Sequence, residues 1–362
     1  MKILVLNGGS STFKCWYREM TPAILDGDAP APDWDLHVDW GRGVDVRQAL
    51  EPALRSIPGP VDAVGHRIVH GGRFRESAII TDEVRTTIRD LEPLAPEHNR
   101  REVAAIEAVD RVLGSGVTQV AVFDTAFHST LEPAAYVYPG PYDWLEQGIR
   151  RYGFHGINHG YVTRQAARML GRDPAGLRLI SCHLGNGASL AAIRGGKSVD
   201  TTMGFTPLEG LMMGSRSGSV DPGILIYLQR HAGMNADQLD ELLNRKSGLL
   251  GISGISSDMR EVMDALGRGN ERARLAFEIY THRLVREAGA MLAVLGGADA
   301  IVFTGGIGEH FALLRDAVMA QLAFAGPPKM LVIPAQEEWE IARECCRLLM
   351  PVMESRTSGH SG

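Results

Sequence analysis

Apolar runs of strand length alternate with longer amphipathic stretches along the whole chain, the pattern of an α/β protein. The runs predict strands at 63–69, 118–123, 177–184 and 300–303. Apolar spacing at helical period predicts helices at 99–113, 159–170, 221–230, 271–295 and 336–349. One unit occurs twice: an apolar strand, a Gly/Ser-rich turn and a second strand, first over 3–17 (ILVLNGGSSTFKCWY) and again over 177–193 (LRLISCHLGNGASLAAI). The Pro-, Asp- and Trp-rich stretch from Thr21 to Trp40 breaks the alternation and reads as a loop or a frayed edge. The small, polar tail after Met353 reads as disordered.

The repeated turns are the first candidates for chemistry. Gly8, Gly9, Gly185 and Gly187 let backbone N–H groups converge, while Ser10, Ser11, Thr12 and Ser189 add hydroxyl donors, and Lys14 brings a point charge. For one such turn alone, a plain β-hairpin is the commoner reading. Two matched turns half a chain apart point to two similar half-domains facing one another across a cleft, with a polyphosphate held from both sides.

Further candidates stand where strands end, as ligands do in open α/β sheets. Arg67, before Val69, His70 and the Gly71-Gly72 pair, can give planar, bidentate recognition of a carboxylate or phosphate; its plainer reading is a structural ion pair. Asp124 closes a nearly continuous apolar run, where an acid needs a cleft, a metal or a helix N-terminus to cap. His155 and Arg216, each beside glycine, can bring positive charge to a transferring phosphoryl group. The loops Asp258-Met259-Arg260 and Gly305-Gly306-Ile307-Gly308-Glu309 can cradle an adenosine, although GGIG also occurs as a plain helix lead-in. The acids Glu337-Glu338 open a helix and complement its dipole.

Composition narrows the classes. A chain of 362 residues, 44% hydrophobic and 22% charged, has room for two domains with full cores. A net charge of -6 argues against nucleic acid as a partner. No apolar stretch is long enough to span a bilayer, and Met1-Lys2 leads straight into a strand-like run with no signal peptide, so the expectation is a cytoplasmic protein that binds no membrane. Cys15, Cys182, Cys345 and Cys346 lack metal-ligand spacing and read as reduced structural thiols.

Taken together, LNGGSSTFK, GHRIVHGG, FDTAFH, YGFHG, CHLGNGAS, GSRSG, SDMR, FTGGIGE and PAQEEWEIARE stand in the order and spacing of the acetate kinase family, which the chain resembles over nearly its whole length. The resemblance implies two duplicated actin-like, ribonuclease H-like domains flanking a nucleotide cleft. Residues 1–124 plus 338–362 would form the first, closed by the C-terminal helix, and 125–337 the second, carrying the nucleotide loops. It implies reversible phosphorylation of acetate to acetyl phosphate by direct in-line transfer, with ATP/ADP and Mg²⁺ (Mn²⁺ as a substitute), in a homodimer. By the same resemblance Asn7 and Glu337 would be metal positions and Lys14 would contact nucleotide phosphate. Arg67 would bind the substrate carboxylate, Asp124 would be the catalytic acid residue, and His155 and Arg216 would stabilise the transition state. Val69, Glu97, Phe154 and Pro207 would line the acyl pocket. His183, Leu184, Gly185, Asn186, Gly187, Asp258, Met259, Arg260 and Gly305 to Glu309 would bind nucleotide.

The chain departs from the family pattern in two places. The first domain is short between about Ala29 and Pro60. In LAPEHNRRE, Glu97 replaces the usual leucine of the acyl pocket, and Arg100-Arg101 replace prolines. Glu97 therefore raises the alternative of another short carboxylate, propionate or a hydroxy acid, unless it pairs with Arg100 or Arg101. The other alternative is a non-enzymatic nucleotide switch of the actin/Hsp70 type, which would share the twin turns without needing Arg67 or Arg216.

Overall fold

The computed structural model describes residues 1–9, 12–25, 27–39, 45–326 and 328–358; the side chains of 96, 97, 325 and 351–358 are outside the description. Ser10 and Ser11 of the first turn therefore lie outside the described residues. The chain divides into two compact units. Unit 1 comprises Met1–Ser129, His155–Tyr161 and Gln336–Gly362; unit 2 comprises Thr130–Phe154 and Val162–Ala335.

Unit 1 is built on a six-stranded sheet of β1 (Lys2–Gly8), β2 (Thr12–Glu19), β3 (Trp34–Asp39), β4 (Ala63–Ile68), β5 (Ala78–Ile79) and β6 (Thr118–Phe123), in the order β3-β2-β1-β4-β6-β5. The first hairpin is antiparallel, and β4 then runs parallel to both β1 and β6. Apolar residues of β1 and β2, including Leu4, Leu6, Phe13 and Cys15, pack with Leu50, Leu54, Ala105 and Val109 from two helices. Ile68 and Phe123 pack with Val84, Ile88, Val103 and Ile106 in an adjoining cluster.

Unit 2 carries a five-stranded sheet of β7 (Arg178–Leu184), β8 (Ala188–Arg194), β9 (Lys197–Thr201), β10 (Ala300–Thr304) and β11 (Lys329–Val332), in the order β11-β10-β7-β8-β9. Again an antiparallel three-strand meander is extended by parallel strands on the side of its first member. The recurrence of this arrangement is the actin-like duplication. The helix Glu271–Leu295 buries Ala273, Ala276, Tyr280, Leu284, Ala288, Met291 and Leu295, a stripe at three- and four-residue spacing, and packs on β7 and β8. Asn270 caps its start by accepting the Ala273 N–H, and Gly296, at φ 67°, ends it.

The four strand expectations and five helix expectations all correspond to observed elements, with end shifts. Two segments differ. The stretch 21–40 contains β3, whose Trp34 and Val38 pack on the core while Asp35, His37 and Asp39 face outward, so an acid-rich segment is held as a paired edge strand. The C-terminal helix Glu337–Ser358 continues five residues into the tail expected to be disordered, where no glycine or proline interrupts it; 359–362 lie outside the described residues.

Candidate active site

Three neighbouring strands of unit 1 end side by side. The register of β1 against β4 sets Leu6 opposite His66, and that of β4 against β6 sets Ile68 opposite Phe123, so Asn7, Arg67 and Asp124 emerge together. Arg67 Nε and Nη2 donate to Asp124 Oδ2 at 3.1 and 2.7 Å. Its Nη1 donates to Asn7 Oδ1 at 3.2 Å and stands 3.4 Å from Glu337 Oε2. Asn7 Nδ2 in turn donates to Glu337 Oε2 at 3.0 Å and to Glu338 Oε1 at 2.8 Å. Lys14 Nζ lies 3.5 Å from Glu338 Oε1.

Burial makes these charges matter. Burial alone opposes the Arg67 charge, but the Asp124 and Glu337 carboxylates outweigh it and drive its pKa up. Burial pushes the Asp124 carboxyl up against the opposing pull of Arg67. With both N–H bonds converging on one oxygen, the geometry is that of an ion pair. The plainer expectation for Arg67, a structural ion pair, is therefore met.

His155 is the one non-glycine residue with positive φ (57°) among the described residues. Such a conformation costs about 1–3 kcal/mol and persists only when its surroundings over-determine it. Here the backbone N–H of His155 favours the charged form of Asp124, and the next N–H, of Gly156, donates to the Asp124 carbonyl at 2.8 Å. A Cβ at Gly156 would run into that carbonyl oxygen and stand 2.9 Å from Phe127 Cβ. The tight junction holds the His155 backbone against the acid, while the imidazole meets His159 edge-on and His159 in turn meets His128.

The residues fit a hard cation. Asn7 and Glu337 present oxygen donors, and Asp124 Oδ1, fully buried, has no hydrogen bond of ordinary geometry and would be able to accept from a water on such a cation. Among the described residues no group of three or more His, Cys, Asp or Glu side chains forms a cage. Such a donor set suits Mg²⁺, which keeps waters and phosphate oxygens in its shell.

In unit 2 a second set of loops gathers. The turn after β7 is closed by the Gly185 N–H on the Gly187 carbonyl at 2.9 Å, and the Asn186 carbonyl accepts from Gly214 at 3.1 Å. A Cβ at Gly214 would strike Asn186 Oδ1 and come within 2.8 Å of the Ser257 carbonyl, so the 183–187, 213–216 and 257–260 segments meet there. Gly305, at φ 75°, begins a short helix against the same turn; a Cβ on it would lie 2.8 Å from the Leu184 carbonyl oxygen. Glu309 accepts the Ala335 N–H at 2.9 Å. Asp258 caps the helix Met259–Gly267 and pairs with Arg260 at 2.6 Å. Arg216 Nη1 donates to the Pro207 carbonyl at 2.6 Å.

Of the acyl-pocket candidates, Val69 is buried in unit 1, and Phe154 (buried) and Pro207 belong to unit 2. The Glu97 side chain lies outside the described residues, while Arg100, one of its expected partners, pairs with Glu92 at 3.5 Å. Two residues escaped the sequence reading, and a third was read there only as a helix-opening acid. Glu338 joins Asn7 and Lys14 as well as opening a helix. Arg151 Nη1 donates to the carbonyls of Thr201, Thr202 and Met203, and its Nη2 binds Glu209 at 2.6 Å, which cross-links the loop that presents Pro207. Glu102 is a fully buried acid in the helix Pro96–Val112. Its only sequence signal is an acidic side chain one residue before Val103 on that helix's inward face.

The duplicated sheets, each with a glycine turn after its first strand, define a protein of the actin-like fold class. Within that class the chain belongs to the acetokinase family, whose sequence model matches residues 47–343. It is 49% identical to the acetate kinase of Gloeobacter violaceus, an alignment covering 95% of this chain and 98% of that one. Since the alignment spans 399 positions against a chain of 362, the relative carries residues that this chain lacks. Among solved structures, an acetate kinase of Porphyromonas gingivalis superimposes with a TM-score of 0.83 at 38% identity, covering 96% and 99% of the two chains. A propionate kinase of Francisella tularensis does so with 0.84 at 35% identity, covering 95% and 98%. Family membership favours an enzyme over the nucleotide-switch alternative. No helix among the described residues is long and apolar enough to cross a membrane.

Proposed function

We propose that this chain is an acetate kinase, catalysing the reversible ATP-dependent phosphorylation of acetate to acetyl phosphate by direct in-line transfer. The observation that carries the reading is the buried Arg67–Asp124 pair at the ends of β4 and β6, in a chain of the acetokinase family. A short carboxylic acid, with a pKa close to the Glu-like value of about 4.3, is already ionised at neutral pH, so the nucleophile needs no base. Asp124 therefore orients: it fixes the Arg67 guanidinium, and its Oδ1 would accept from a water on the metal when that is bound. Arg67 binds the carboxylate, and His155 and Arg216 supply positive charge to the equatorial oxygens of the transferring phosphoryl group.

Asn7 and Glu337 would hold Mg²⁺, which when bound neutralises phosphate charge. Lys14, His183 to Gly187, Asp258 to Arg260 and Gly305 to Glu309 are the nucleotide contacts in this reading. By the family resemblance, Val69, Phe154, Pro207 and Glu97 would be the positions that meet the acyl group, Glu97 being the one that departs from the family pattern. A homodimer in the cytoplasm is the accompanying expectation.

A second reading, a kinase preferring another short acid, rests on the Glu97 departure, and a propionate kinase stands among the similar structures. Acyl phosphate trapped with hydroxylamine distinguishes them, using Mg-ATP with acetate, propionate, butyrate, glycolate and glycine. Highest kcat/KM with acetate supports the leading reading, and a maximum with another acid supports the second. No hydroxamate from any acid refutes both.

A further inference from the structure

Beyond Ile68 the chain leaves β4, and its backbone groups need partners outside the sheet. The helix Pro96–Val112 provides them. Glu102 takes the Val69 N–H on both carboxyl oxygens, at 3.1 and 3.2 Å. One turn earlier, Asn99 Oδ1 accepts the His70 N–H at 3.2 Å, and Asn99 Nδ2 donates to the carbonyls of His70 (3.2 Å) and Ile88 (3.1 Å). Two side chains at i and i+3 thus clamp the segment that follows Arg67 directly.

An asparagine suits this task, since it satisfies donors and acceptors without charge. A glutamate does not obviously suit it. Glu102 is 2% exposed, and among the described residues the Val69 amide is its one hydrogen-bond donor. The charged groups facing it are Arg67 from β4 and Asp124 from the end of β6. Arg67 already balances Asp124 and Glu337, so an ionised Glu102 is a third negative charge around one guanidinium.

We propose that Glu102 is a positioning residue for the acid substrate, acting through Val69 and Arg67, and that its ionisation weakens the hold of Arg67 on an incoming carboxylate. The inference rests on the carboxylate-kinase reading above. Desolvation pushes the Glu102 carboxyl up to about 8, against the opposing effects of the Val69 N–H and Arg67. At neutral pH the neutral acid keeps its carbonyl on the Val69 N–H and adds no charge. Above about pH 8 the carboxylate competes with substrate for Arg67.

The test is the pH dependence of KM for acetate, with kcat recorded alongside, in the wild-type chain, Glu102→Gln and Glu102→Ala. Glutamine keeps the acceptor for Val69 and cannot ionise. In the wild type, KM should rise about tenfold between pH 7 and 9 with a smaller change in kcat, the size expected of one added charge near a partly buried cation. Glu102→Gln should flatten that rise. Glu102→Ala, which leaves the Val69 amide without an acceptor, should raise KM at pH 7, and glutamine should restore it. An alkaline rise in Glu102→Gln equal to the wild-type rise overturns the proposal while leaving the carboxylate-kinase reading intact. Absence of product from the wild type at pH 7 with every acid overturns both.

Discussion

Removing the Arg67 guanidinium tests whether the strand-end cluster is an interdependent charge unit. Arg67→Met keeps the apolar stem and removes the charge, leaving Asp124, with its side chain 1% exposed, and Glu337, 13% exposed, without their shared cation. Breaking a buried pair from one side costs about 3–5 kcal/mol, because the remaining charge stays desolvated. Replacing Asp124 as well, by asparagine, relieves most of that, so the double variant should be more stable than Arg67→Met alone and show a coupling of about 2 kcal/mol. Urea unfolding followed by tryptophan fluorescence reads this, since Trp16, Trp34 and Trp339 all lie in unit 1. The deficit should also depend on pH in a defined sense. Without Arg67, only the His155 backbone N–H opposes the burial that raises the Asp124 pKa, and a carboxyl raised in the folded state loses stability as pH climbs from its unfolded to its folded value. Arg67→Met should therefore recover toward wild type at pH 5 relative to pH 7.5. A deficit under about 1 kcal/mol, or an equal deficit in the double variant, would refute the reasoning.

Other consequences follow from the same structure. His66, buried and bonded to Gln119 at 2.7 Å, is held down at about 4 by desolvation. Its contribution is full above the ordinary value of about 6.5 and lost as pH falls through 4. Unfolding titrations should therefore show wild type losing on the order of 3 kcal/mol relative to His66→Gln across that window. Burial raises the thiols of Cys15 to about 12 and Cys346 to about 11, and those of Cys182 and Cys345 also upward, so Ellman's reagent at pH 8 should find none until denaturant is added. Gly305→Val puts a branched side chain at φ 75° against the Leu184 carbonyl; its nucleotide affinity, by calorimetry, should fall about tenfold or more, and an unchanged affinity would remove that loop from the nucleotide site.

How much was legible depended on the range of the interaction. Strands such as Thr118–Phe123 and the long helix Glu271–Leu295 announce themselves because burial imposes a local period. The paired glycine turns reveal the duplication because each needs a short run of small residues. β3 was harder to read, since Trp34, Leu36 and Val38 alternate with Asp35, His37 and Asp39 over only six residues and Leu36 stays exposed. The pairing of Arg67 with Asp124, 57 residues apart, depends on the register of two parallel strands, which neither residue records. Glu102 was hidden for a similar reason: an acid in an amphipathic helix reads as solvent-facing until the strand end beneath it is in place.

The central claim is that the Arg67–Asp124 pair handles the acid while the glycine loops of unit 2 hold nucleotide. Synthesis of ATP from acetyl phosphate and Mg-ADP by wild type and Asp124→Asn, with nucleotide affinity measured on both, tests it most directly. The account predicts a fall in kcat of about 10²-fold or more with ADP affinity unchanged. Activity within a few-fold of wild type, or a loss explained wholly by weaker ADP binding, would contradict it.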